Sequence, residues 1–111
     1  MFTIEEYLQT PWHDDTLAIE VHKERFRIRR LDGLDTLRLY ELKDLDERFI
    51  HILAACLLDG KTNEPVGRAY AEQFIRRHQQ LAIDLTVEII NLSCELEAEE
   101  EQLVEDTKKN Y

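Results

Sequence analysis

Side chains able to do acid–base, nucleophilic or metal chemistry are few in this chain, and their spacing suits none of it. His13, Asp14 and Asp15 are consecutive and could offer an imidazole and two carboxylates to a cation. Adjacent residues rarely point at one ion, so a solvated loop is the better reading. Cys56 and Cys94 lack a companion at metal-ligand spacing. Both fall on apolar helical stripes, which predicts reduced, buried thiols acting as small hydrophobes rather than a disulfide. His51 lies beside the apolar stripe of its helix and reads as structural. His78 follows Arg76-Arg77 and is expected at a helix end, where a cation complements the C-terminal dipole. Gly33, Gly60 and Gly67 are too scattered to cradle phosphate. The expectation is a non-enzyme with no catalytic, cofactor-binding or metal-binding residues.

Charge is more informative. The formal net charge is −10, yet residues 95–106 alone hold seven acidic residues and no Lys or Arg, which leaves −3 on the rest. Half of the fourteen Lys and Arg residues lie from Lys23 to Lys43. Arg25, Arg27 and Arg29 alternate with Phe26 and Ile28, so they would line the wet face of a strand. A basic ribbon can enter a DNA groove, and a small prophage regulator binding nucleic acid through residues 25–30 is the alternative reading. The strong overall negative charge argues against it. Pairing of these arginines with carboxylates, on this protein's own helices or on a neighbouring subunit, is the preferred use.

The 111 residues suit a single domain with one core. No apolar run approaches a membrane span, and the acidic N-terminus has no secretion-signal pattern, so a cytoplasmic protein is expected. Residues 1–15 read as an extension. Within it, Thr3 and Glu6 have capping-box spacing for a short helix over 4–9, and Pro11, Trp12 and His13 fall in a loop. Leu17, Ile19, Val21, Phe26 and Ile28 alternate with polar residues, which predicts a β-hairpin turning near His22-Lys23-Glu24. A helix over 34–42 would turn Leu34, Leu37 and Leu42 inward. Another, N-capped by Asp44 with Glu47 completing the box, would run to Leu58 and end on Gly60. Residues 59–67 form a loop. A helix over 68–78 follows, with Ala71, Phe74 and Ile75 inward. The fold class is mainly α with a small N-terminal β-hairpin, an α+β bundle of about four helices.

The last helix starts near Gln79 and is apolar on two sides. Leu81, Leu85, Ile89, Leu92 and Leu96 form one stripe. Ile83, Val87, Ile90 and Cys94 form a second, nearly opposite. A helix apolar almost all round must be covered twice. The first stripe is expected to pack on Phe49, Ile52, Leu53 and Leu57. The second, with Arg25, Arg27 and Arg29, is the candidate partner-binding set. Clustered carboxylates disfavour the helix end, so residues 97–111 are expected to fray as an acidic tail.

The order of segments resembles the tail assembly chaperones of long-tailed bacteriophages and prophages. The resemblance rests on several motifs in sequence. They are Arg29-Arg30-Leu31-Asp32-Gly33, Leu53-Ala54-Ala55-Cys56-Leu57-Leu58-Asp59-Gly60, Asn63-Glu64-Pro65, Ile90-Asn91-Leu92-Ser93, the acidic stretch, and Lys108-Lys109-Asn110. It covers roughly residues 25–110, by layout more than by invariant residues. It implies a non-enzymatic, oligomeric protein of the host cytoplasm that coats the tape-measure protein and leaves before the virion is complete. It also implies a longer form, made by frameshifting near Lys108-Lys109, that recruits the major tail protein.

Overall fold

In a computed structural model the described residues are 3–9 and 16–109. They form α1 (Ile4–Leu8), β1 (Leu17–Val21), β2 (Glu24–Ile28), α2 (Gly33–Glu41), α3 (Leu45–Cys56), β3 (Leu57–Leu58), α4 (Arg68–Arg77) and α5 (Gln79–Lys109). The α+β class expected from the period changes is what the chain adopts. The capping box of α1 is present: Glu6 N–H donates to Thr3 Oγ1 and Thr3 N–H to Glu6 Oε2. The His13-Asp14-Asp15 loop lies outside the described residues.

The hairpin turns on His22 and Lys23, with φ of 52° and 67°. Positive φ at both central residues is the two-residue turn whose twist matches its strands. Neither residue is glycine, so each costs roughly 1–2 kcal/mol. The His22 imidazole pairs with the Asp84 carboxylate on α5. The sheet gains a third strand that the apolar run had hidden. Leu57 and Leu58 leave the helix and pair antiparallel with Ile28 and Arg27. The helix therefore ends at Cys56 rather than Leu58, and Gly60 does not cap it. Leu57 N–H closes the last turn on the Leu53 carbonyl, while Gly60 sits in a turn held by Asp59. There the Lys61 and Thr62 N–H groups donate to Asp59 Oδ1 and hold its carboxyl below its usual range.

The core is built from Ile52, Leu53 and Cys56 of α3, Ala82, Leu85 and Ile89 of α5, Ala71 of α4, and Ile28 and Leu57 of the sheet. Phe74 meets Phe26 edge to face at 6.4 Å. The first stripe of α5 thus packs inward on Ile52, Leu53 and Leu57. Phe49 does not join this core; it lines a groove described below. Glu47, expected in a capping box, instead takes a two-pronged bond from Arg68 at 2.8 Å on each arm. That guanidinium lowers the Glu47 carboxyl and ties the start of α3 to the start of α4.

Two corrections follow from long-range polar contacts. The first is α2. Asp32 caps it, accepting from Asp35 N–H at 2.8 Å. Asp35 is then the one buried residue of the helix and receives Arg29 Nη2 at 3.2 Å. His51 Nε2 stands 3.6 Å from its other oxygen. With Asp35 inward, Leu39 follows at i+4. Leu34 and Leu37 point out, 70% and 61% exposed, against the inward orientation that their spacing predicts. The second correction is the acidic end. The described helix α5 runs through it as far as Lys109, and Glu100 is buried in an ion pair with Arg30.

Candidate interaction surface

An apolar groove opens between α2, α3 and α5, with a volume of about 370 Å³. Leu39 and Tyr40 of α2 face Leu45, Phe49 and Ile52 of α3 across it, and Ile90 of α5 closes one side. Among the described lining residues Arg48 alone is charged, and its Nε–H donates to the Leu42 carbonyl at 2.8 Å. Beyond the rim, Leu34, Leu37 and Tyr40 continue the apolar surface along the outside of α2 at i, i+3, i+6. Tyr40 is 80% exposed, and Leu45 at the head of α3 is also exposed. Exposed leucine and tyrosine so spaced make this side of the molecule a candidate contact surface.

The second stripe of α5 lies where its periodicity puts it. Val87 is 46% and Ile90 39% exposed. Cys94 is exposed and Ile83 is half-buried. The stripe meets the groove at Ile90. The spacing along α5 named these residues, and the exposure of Leu34, Leu37, Tyr40 and Leu45 was not anticipated from the sequence. The available signal was the Asp32–Asp35 capping spacing, which fixes the rotation of α2.

The candidate arginines divide. Arg25 is exposed, with Glu20 opposite it on β1. Arg27 is exposed and its Nη1 donates to Thr16 Oγ1 at 2.9 Å. Arg29 turns inward, giving Nε–H to the Ala55 carbonyl at 2.6 Å as well as serving Asp35. It therefore stabilises the junction of β2, α2 and α3 and is not a surface contact. Arg29 and Arg30 both pair with carboxylates of this chain's own helices, as the sequence suggested for the basic segment. The wet face of β2 is left with two arginines beside Glu20, a thin footing for phosphate.

The two thiols also differ, which corrects the expectation that both are buried. Cys56 is buried and Cys94 exposed. Burial pushes the Cys56 thiol up to about 12, with nearby Arg29 opposing and Asp35 and Asp32 adding to the shift. At pH 8 a thiol reagent is expected to modify one equivalent per native chain, at Cys94, and the second only after denaturation. Two fast equivalents in the native protein would contradict this burial. His78 closes α4, its N–H donating to the Phe74 carbonyl at 2.8 Å, the helix-end position expected for it.

Among the described residues, no cluster of three His, Cys, Asp or Glu could hold a metal ion, and no helix is long and apolar enough to cross a membrane. No family model, no curated protein and no solved structure matches the chain.

Proposed function

We propose that this protein is a non-enzymatic tail assembly chaperone of a long-tailed phage or prophage, holding the helical tape-measure protein until the tail is built. The observation that carries the reading is the apolar surface left uncovered on α2 and in the groove behind it. A long helical client that exposes apolar stripes before assembly needs such a surface. Helix-in-groove recognition would place client side chains at i, i+3, i+4 and i+7 between Tyr40 and Ile90. Covering one large apolar side chain is worth about 1.5–3 kcal/mol. Several together give useful affinity once the cost of association is subtracted, while leaving the contact reversible. Self-association of the chaperone along its client belongs to the same reading, as does recruitment of the major tail protein by a longer form of the chain.

Co-expression with the tape-measure protein of a long-tailed phage tests the proposal. The client is expected to move from the insoluble to the soluble fraction and to co-purify. Leu37→Asp, at an exposed position, is expected to abolish that capture while leaving the circular dichroism spectrum unchanged. A client that stays insoluble, or that is captured equally by the variant, would refute this use of α2.

A further inference from the structure

The short helix α1 carries apolar residues that its own chain leaves open. Ile4 and Leu8 stand one turn apart on a single stripe, and both are largely exposed. At roughly 100° per residue Glu5 lies beside that stripe, whereas Glu6 falls behind it and closes the capping box on Thr3. The Glu5 carboxylate has no side-chain partner among the described residues. The box holds α1 helical before it meets anything, which lowers the ordering cost of docking.

The groove between α2, α3 and α5 is the complement. Its walls are apolar, and Arg48 supplies the charge among the described lining residues. The bond from Arg48 Nε–H to the Leu42 carbonyl leaves both Nη groups without a partner among the described residues. An arginine anchored through Nε presents a fixed two-pronged fork that fits one carboxylate. An apolar wall with one open guanidinium therefore suits a short apolar stripe with a single carboxylate beside it. Helix α1 has that make-up, with Ile4 and Leu8 for the wall and Glu5 for the fork. Within one chain neither covers the other: Ile4, Leu8, Tyr40 and Leu45 all remain exposed.

We infer that α1 of one copy seats in the groove of a second copy, with Ile4 and Leu8 among Leu39, Phe49 and Ile90 and the Glu5 carboxylate on the Arg48 fork. Each chain has one such arm and one groove, so the contact is heterologous. Reciprocal exchange closes a pair, and one-way exchange leaves ends open to further copies. Where the groove also receives client, as proposed above, the arm is its competitor, and client binding disperses the chaperone's own assemblies. Only that last use rests on the proposed function; the arm contact is measured without client.

Sedimentation of the full chain over a range of concentrations, without client, tests the contact. The wild type is expected to self-associate. Ile4→Asp with Leu8→Asp is expected to be monomeric with an unchanged circular dichroism spectrum, since both residues are exposed. Tyr40→Asp, an exposed position in the groove wall, is expected to be monomeric too. A mixture of these two variants contains one intact arm and one intact groove, and is expected to form a one-to-one pair. Glu5→Arg and Arg48→Glu are each expected to weaken association roughly tenfold at low salt, and their combination in one chain to restore it. A monomeric wild type, association that survives the loss of Ile4 and Leu8, a mixture that does not pair, or a double reversal that stays weak would each overturn the inference. Client capture by a monomeric wild type would leave the proposed function standing without the arm contact.

Discussion

Glu100→Ala is expected to destabilise the protein by about 3 kcal/mol in chemical denaturation, whereas Glu101→Ala one residue on stays within about 0.5 kcal/mol. The two glutamates look alike in sequence. Glu100 is buried and paired with the Arg30 guanidinium, itself almost wholly covered, while Glu101 is exposed. Removing a carboxylate from a buried ion pair leaves a desolvated cation poorly compensated, and that cost exceeds what the intact pair contributes. Arg30 lies directly between β2 and α2, so the effect reports whether the acidic half of α5 belongs to the folded body. A neutral Glu100→Ala would mean that the helix end is detached from it.

Leu85→Ala is expected to cost about 3 kcal/mol, with a fall in Tm on the order of 10 °C. Leu85 is fully buried and packs with Leu53, Ile89 and Ala82 where α3 and α5 meet. Truncation removes three carbons of apolar burial and leaves a cavity between two helices that cannot easily close. Against a total stability of about 5–15 kcal/mol, either substitution is a large fraction. Two-state urea melts with an unchanged slope check both; a loss below about 1 kcal/mol at Leu85 would place the core elsewhere.

Helical periodicity was most legible where a helix is long. Over α5 it separated Leu85 and Ile89, which are buried, from Val87 and Ile90, which are not. Alternation likewise found both hairpin strands, because one face of each packs on the core. Reading failed where a distant polar partner outweighed apolar spacing. In α2 the leucines at 34 and 37 suggest an inward face, yet Arg29 and His51 draw Asp35 inside and rotate both leucines out. At the end of α5 the local charge repulsion is real, but Arg30 is seventy residues away in sequence and invisible to any window. Leu57 and Leu58 continue an apolar helical run, and only the open edge of β2 decides that they become a strand. The candidate surface shows the same division. Its α5 half follows from period alone, and its α2 half depends on where one carboxylate goes.

The anchoring of α2 by Asp35 has a thermodynamic consequence. Most helices detach from a protein only by wetting the grease that glued them down. Here the outward leucines are already in water, so peeling α2 away exposes mainly an ionic latch and Leu39. Such a breathing motion would carry a shallow denaturant dependence, separate from global unfolding. A segment held this way loosens at little hydrophobic cost, well below the free energy of global unfolding.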